Sequence, residues 1–217
     1  VWFDNIKLLS TTVQEKPLNV IKQYTFNNSA ESWYYGTGWE YNYSGAANSS
    51  VGYEDGMLKV MVDYSKDSAQ TWSQLAACVW ENSGMDLTGA NTASLDFFYD
   101  KTLLKSGYFK LKLYPNDHLE CTTDVDFSDA VEVEGTNLIK VPVKFYFETL
   151  TDAANINDLA VCIIGNSTAY KGPIYLDNIS IMKDAAVTSS YVNSTIKPTG
   201  AKYKQSIKDG VLTTYDK

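Results

Sequence analysis

The chain has 217 residues, 44% of them hydrophobic and 20% charged, which is long enough and apolar enough for one large all-β domain or two small ones. Eighteen lysines stand against 26 acidic residues, with no arginine, so the net charge is -8 and the sequence pI is near 4.6. Nucleic-acid binders are usually basic, and this balance argues against nucleic acids, anionic polysaccharides and acidic membrane surfaces as partners. No apolar run approaches the roughly 18 residues of a membrane span, so no membrane partner is expected.

Three cysteines, Cys78, Cys121 and Cys162, cannot all pair within one chain. Cys78 and Cys162 lie in apolar, strand-like runs and are predicted to be buried as small hydrophobic residues. No CxxC or other spacing typical of a metal site is present.

Alternation of apolar and polar residues with period two dominates the sequence and predicts half-buried strands. It is clearest in 58–64, 108–114 and 139–148, and further strands are predicted at 74–80, 94–99, 159–164 and 174–182. Turn-forming residues at 54–56 and 82–84 separate some of them, and Pro142 predicts an edge or a bulge because it cannot donate a ladder hydrogen bond. No segment of 12 or more residues has a helical stripe. The fold class predicted is therefore all-β, a two-sheet antiparallel β-sandwich of the jelly-roll type.

A short internal sequence repeat suggests how the chain is divided into domains. The hexapeptide at 3–8 (FDNIKL) matches the one at 176–181 (LDNISI) in pattern. If the second closes a module, the first would close a preceding one, so tandem modules are expected. The predicted boundaries are 1–17 for the closing strand of a preceding module plus a linker, 18–184 for the complete sandwich, and 185–217 for a polar C-terminal tail.

Catalysis finds little support in the residues. The only histidine, His118, lies in a predicted loop, which excludes a multi-histidine metal site, and no G-x-S-x-G nucleophile elbow accompanies it. Acidic residues that could serve a glycosidase are Glu40, Glu81, Asp96, Glu120 and Glu148, but no spacing selects a pair. A non-catalytic protein is predicted, with a jelly-roll glycanase or lyase left as an alternative.

Sixteen tyrosines and five tryptophans favour a binding surface for sugars, whose apolar C–H faces stack on flat rings while polar side chains bond the hydroxyls. The glycine-containing stretch 32–43 displays Trp33, Tyr34 and Trp39, although burial in the core is equally open for Trp33 and Trp39. Trp72 begins a strand on which it shares one face with Gln74, Ala76, Cys78 and Trp80. The small residues on this face are expected to leave room above them, and Trp80 is expected in the core or at the rim.

The ending Gly-Pro-Ile-x-x-Asp-Asn at 172–178, and the order of Trp33-Tyr34, Trp39 and Trp72, resemble the family 27 carbohydrate-binding modules, mannan-binding modules attached to bacterial β-mannanases. The resemblance covers about 20–184. It implies a groove on one sheet that binds β-1,4-mannooligosaccharides, with stacking at Trp72 and Tyr34. A third stacking tryptophan of the family would fall near His118, which is retained as a candidate contact although it is no tryptophan.

The same resemblance implies a secreted module, covalently linked to a catalytic domain, that targets a glycoside hydrolase to galactomannan or glucomannan; a tandem module is expected from the match between 3–8 and 176–181. It also implies a structural calcium, for which Asp177 and Gln23 are the candidate ligands. Two alternatives stay open: a structural or adhesion sandwich whose aromatic residues are core, and a module for another β-1,4-glycan.

Overall fold

The computed structural model describes residues 19–116, 121–147, 150–183, 203–208 and 211–216, the last two ranges as backbone only. Fourteen strands and two 3-10 turns form in these residues. In chain order they are β1 (Asn19–Tyr24), β2 (Tyr34–Tyr35), η1 (Ala46–Asn48), β3 (Ser50–Glu54), β4 (Met57–Asp63), β5 (Ser73–Met85), β6 (Thr92–Asp100), β7 (Tyr108–Pro115), β8 (Cys121–Asp124), η2 (Phe127–Asp129), β9 (Val131–Glu132), β10 (Leu138–Tyr146), β11 (Ile156–Asn166), β12 (Lys171–Lys183), β13 (Tyr203–Lys208) and β14 (Val211–Asp216).

Two antiparallel sheets face each other, which confirms the predicted β-sandwich. One sheet has seven strands in the order β3-β4-β12-β6-β10-β9, with β1 also paired to β12, and the other has five strands in the order β2-β5-β11-β7-β8. The apolar residues of each alternating strand point between the sheets, so Leu111 and Leu113 of β7 are buried while Lys110 and Lys112 face outward. The core is rich in aromatic rings; Phe109 packs against Phe97 with ring centroids 5.3 Å apart.

All seven strands predicted by alternation are present, and seven further strands were not predicted by it: β1, β2, β3, β8, β9, β13 and β14. The turn at 54–56 is confirmed, because Asp55 and Gly56 both have positive φ between the paired strands β3 and β4. The turn at 82–84 is wrong. β5 continues to Met85, and Gly84 with φ of 71° lies where the pairing of β5 with β11 shifts register, as in a β-bulge.

Pro142 lies near the edge of its sheet, as predicted. Among the described residues, β9 pairs with β10 only at Ile139 and Lys140, so no strand is paired to β10 on that side at Pro142. Its missing N–H therefore costs no ladder hydrogen bond there.

The chain divides into two compact units, with the boundary after Ala185. In the second unit the described backbone is a hairpin, in which β13 and β14 pair from Tyr203 with Asp216 to Lys208 with Val211. The polar tail predicted at 185–217 thus contains regular strands that the sequence analysis did not anticipate. The repeat at 3–8 lies outside the described residues, and its role in a preceding module stays a prediction.

Candidate functional site

The outer face of the five-stranded sheet carries a row of aromatic and polar side chains. Because β5, β11 and β7 send their apolar residues inward, alternate positions face away from the core. The outward positions on these three strands are Trp72 (just before β5), Gln74, Ala76, Cys78 and Trp80; Asp158, Ala160, Cys162, Ile164 and Asn166; and Tyr108, Lys110, Lys112 and Tyr114. We refer to this surface as the aromatic face.

Trp72 lies at one end of the aromatic face, with 37% of its surface exposed. The ammonium nitrogens of Lys110 and Lys112 approach its ring centre to 5.0 and 5.1 Å. Lys110 Nζ lies 3.0 Å from Asp124 Oδ1, and the hydrogen bond between them raises the pKa of the Lys110 side chain. A half-exposed flat ring with two cationic donors over it suits a sugar, whose C–H face can stack on the ring while its hydroxyls accept hydrogen bonds from the lysines.

Gln74 links Lys112, which lies beside Trp72, to the loop that carries Trp39. Its Oε1 accepts a hydrogen bond from Lys112 Nζ at 3.0 Å, and its Nε2 donates to the backbone carbonyl of Trp39 at 3.0 Å. Both ends of the amide are used, so Gln74 positions Lys112 as well as the loop that carries Trp39. The structure therefore places Trp72, Gln74 and Trp39, three of the candidate site residues, on one surface, and their contact with a sugar stays a prediction.

Trp39 covers the small residues that were expected to leave open space. Its side chain packs, together with Tyr114, against the cluster formed by Ala76, Cys78, Ala160 and Cys162, all fully buried. The two rings meet edge to face with centroids 5.0 Å apart. The expectation of room above these positions is wrong, since a loop folded back from β2 occupies it.

Two local features allow this loop to close. A Cβ on Gly36 would come within 2.6 Å of Cys78 Sγ, so only glycine permits the approach. Glu40 accepts hydrogen bonds from Tyr35 Oη at 2.8 Å and from Gly38 N at 2.7 Å. Burial would raise the pKa of the Glu40 carboxyl, but these hydrogen bonds hold it below its usual value. The ionised carboxylate thereby fastens the loop to β2.

Tyr34 and Trp80 lie at the other end of the aromatic face. Tyr34 pairs directly with Cys78, and Trp80 lies two residues further along β5, so the two rings are diagonal neighbours on one surface. Their exposed fractions are 45% and 54%. Trp80 is thus a rim residue, one of the two outcomes expected for it.

Trp33 is a core residue, which corrects its assignment to the sugar site. It is 4% exposed and packs edge to face on Tyr24 and Phe26, with centroid distances of 5.2 and 6.0 Å. The cause is strand parity, since Tyr34 faces outward and the residue before it must face inward. Its indole Nε1 is buried and has no hydrogen-bond partner. His118 lies outside the described residues, and its role stays a prediction.

The candidate calcium ligands are not cross-strand partners. Gln23 pairs with Ser180, and the register of β12 shifts between Asp177 and Ser180. Burial, together with the nearby Asp96 and Glu31 carboxylates, raises the pKa of Asp177. In the described part of the chain no three His, Cys, Asp or Glu side chains gather as metal ligands would. Calcium binding, with Asp177 and Gln23 as candidate ligands, stays a prediction.

Solved structures with the same fold include carbohydrate-binding modules. CBM27-1 of Caldicellulosiruptor saccharolyticus, solved in complex with mannohexaose, has 20% identity and a TM-score of 0.56 over 75% of this chain and 98% of its own. TmCBM27, described for specific mannan recognition, has 16% identity and a TM-score of 0.58 over 76% and 96%. CBM28, described as specific for non-crystalline cellulose, has 15% identity and a TM-score of 0.52 over 70% and 88%.

No match was found among curated proteins. Within the described residues, no helix is long and apolar enough to cross a membrane. The sequence model of one family, carbohydrate binding module 27, matches residues 13–184, which is most of the chain and contains the whole sandwich. The chain therefore belongs to family 27 of the carbohydrate-binding modules, a family of non-catalytic modules, in agreement with the resemblance in its sequence.

Proposed function

We propose that the aromatic face binds β-1,4-mannan and mannooligosaccharides, and that the module serves to hold an attached glycoside hydrolase on galactomannan or glucomannan. The observation that carries this proposal is the row of exposed rings, Trp72, Tyr34 and Trp80, on a single sheet surface. Exposed large aromatic residues at three positions of one surface are unusual unless they contact something.

The chemistry of the aromatic face fits a neutral polysaccharide. The rings offer stacking surfaces, while Lys112 and Gln74 offer polar groups beside Trp72 that can exchange their mutual hydrogen bond for bonds to sugar hydroxyls. Mannan as the ligand is supported by family membership and by the two modules of similar fold described with mannohexaose and mannan.

The experiment is isothermal titration of the purified chain with mannohexaose, with cellohexaose and xylohexaose as controls. Binding of mannohexaose in clear preference to both controls is the expected result. Preference for cellohexaose would instead favour another β-1,4-glycan, the specificity described for the similar CBM28. The absence of binding to all three sugars would contradict a carbohydrate site on this face.

Secretion, the linked catalytic domain and the tandem module belong to the same proposal. Two observations support them. The chain belongs to family 27, whose modules are attached to bacterial β-mannanases, and the sequence at 3–8 matches the pattern of 176–181. The full-length natural protein, recovered from culture medium and assayed for release of reducing ends from mannan, tests both secretion and linkage. A protein retained in the cells, or without hydrolytic activity, would contradict this part of the proposal.

A further inference from the structure

β5 presents an exposed tryptophan at each end of the aromatic face. Trp72 directly precedes the strand, and Trp80 lies eight residues later on the same face. At strand rise the two are about 26 Å apart. Trp80 is the more exposed of the two, at 54% against 37%. A half-exposed indole on the outer face of a sheet contributes little to the core, so packing alone does not explain it.

Trp80 also has neighbours suited to sugar hydroxyls. It pairs with Asp158, whose backbone carbonyl accepts a hydrogen bond from Asn116 N at 2.8 Å, so the three residues lie side by side. Next to Asn116 is a hollow of about 430 Å³, lined by Asn116, Asp152, Ala153, Ala154, Asn155 and Asn157. The Asn116 side chain is fixed, since its Oδ1 accepts from Asn157 N at 2.8 Å and its Nδ2 donates to Asn155 O at 2.9 Å.

We infer that Trp80, with Tyr34 beside it, forms a second terminal platform, and that one linear glycan chain contacts both Trp72 and Trp80. This inference rests on the proposed function and adds to it the number of sugar units that the site contacts. The Asn-lined hollow would receive hydroxyl groups of the sugar stacked at the Trp80 end.

Spacing supports a single extended ligand. Ring geometry makes one unit of an extended β-1,4-linked pyranose chain about 5 Å long, so the ~26 Å given by eight residues of strand corresponds to about five sugar units. A hexasaccharide can therefore place one ring on each tryptophan, with Trp39 and Tyr114 beneath the sugars between them. A trisaccharide is too short to reach both platforms.

The test is titration of wild-type protein and of the variants Trp80→Ala, Trp80→Phe and Tyr146→Ala with mannotriose, mannotetraose and mannohexaose. Tyr146 is the matched control, since it is 52% exposed on the other sheet. Trp80→Ala should weaken mannohexaose binding about three- to tenfold, the range of one lost stacking contact, and leave mannotriose binding unchanged. Trp80→Phe should retain most of the affinity, and Tyr146→Ala all of it.

Several outcomes would overturn the inference. Equal mannohexaose affinity in wild type and Trp80→Ala would show that no sugar reaches Trp80. Two oligosaccharides bound per wild-type chain, falling to one in Trp80→Ala, would show a separate site. Equal losses for mannotriose and mannohexaose would place the main site at Trp80 itself. Wild-type protein that binds no mannooligosaccharide contradicts the proposed function instead. Unchanged thermal unfolding of Trp80→Ala establishes that the variant is folded.

Discussion

At the scale of single residues, Trp72 has a partly exposed ring that Lys110 and Lys112 contact in the absence of a ligand. Cation–π contacts at exposed sites contribute roughly 0.5–1 kcal/mol, less than a well-stacked sugar with hydrogen bonds to the same ammonium groups. The lysines can therefore turn toward hydroxyl groups when a ligand arrives. Gln74 holds Lys112 nearby in the meantime, which limits the conformational freedom that binding must remove.

We predict that Trp72→Ala lowers affinity for mannohexaose by tenfold or more, because both the stacking surface and the anchor of the two lysines are lost. Titration calorimetry measures the change, and Tyr146→Ala serves as the control on the opposite sheet. The midpoint of thermal unfolding should move little, since Trp72 lies outside the core. Unchanged affinity in Trp72→Ala would place the ligand elsewhere.

Asp63 predicts how stability depends on pH. Its buried carboxylate accepts hydrogen bonds from Ser65, pairs with Lys171 Nζ at 2.9 Å, and accepts from Asn48 Nδ2 at 2.9 Å. The Ser65 hydrogen bonds, followed by the Lys171 pair, hold the pKa of Asp63 well below its usual value. A carboxyl with a depressed pKa stabilises the fold above its unfolded-state pKa of about 3.9, and this contribution is lost as the pH falls below that value.

The free energy of unfolding, measured with urea between pH 7 and pH 3, should therefore fall as the solution becomes acidic. Asp63→Asn should be less stable at pH 7 and show a weaker dependence on pH below 4. Asp55→Asn, a change at an exposed turn, should keep the wild-type dependence. A slope in Asp63→Asn equal to that of wild type would mean that other groups govern acid unfolding.

Residue positions were predictable where a long pattern fixed the parity of the strand. Gln74 lies in β5 and Trp72 directly before it, and the alternation of that strand places both on the outer face. Trp33 and Tyr34 could not be separated, because β2 has two residues and no alternation to read. The pairing of Tyr34 with Cys78 shows that Tyr34 faces outward and Trp33 inward.

At the scale of elements, the loop from Gly36 to Tyr41 is a lid of fixed position on the sheet. Gly36 N donates to Ala76 O at 3.0 Å, and Tyr41 N donates to Gln74 O at 3.1 Å, so the loop is tied to β5 at both ends. Trp39 between these ties covers Cys78 and Cys162. Burial and the neighbouring Cys78 raise the pKa of the Cys162 thiol far above its usual range, so thiolate is scarce there.

We predict that Trp39→Ala exposes Cys78 and Cys162 to alkylation. In wild-type protein, iodoacetamide at mildly alkaline pH should label the half-buried Cys121 first and the two covered cysteines only slowly. Removing the Trp39 ring should speed labelling of the covered pair at least severalfold, as followed by peptide mass spectrometry. Trp80→Ala serves as the control and should leave the labelling pattern unchanged. Equal labelling rates in wild type and Trp39→Ala would show that the ring does not shield the thiols.

The long strands follow from alternation, but the loop does not. No local pattern in 36–41 states that Trp39 returns over β5, since the ties are backbone hydrogen bonds to residues more than 30 positions away. Short edge strands such as β8, with the polar sequence Cys-Thr-Thr-Asp, were missed for a related reason. The pairing of β8 with β7 comes from the unpaired backbone groups that β7 offers, and not from the hydrophobicity of β8.

At the scale of the whole molecule, every buried residue of the described core comes from 24–182, within the first compact unit. The family match ends at residue 184, close to the boundary after Ala185. We predict that a chain ending at Ala185 keeps the midpoint of thermal unfolding within about 2 °C and the mannohexaose affinity within about twofold, since it keeps every core side chain that the structure describes. Calorimetry of both chains measures this. A large drop in either quantity would assign the C-terminal hairpin a role in the sandwich.

The unpaired stretch of β10 has a consequence for crowding. Modules bound side by side along one polysaccharide are held at high local concentration, where an open strand edge can recruit the edge of a neighbour. Pro142 withholds a donor from such pairing, and the exposed Lys144 adds a charge that a second copy would have to face. Pro142 therefore makes strand pairing between neighbouring copies less favourable at this edge.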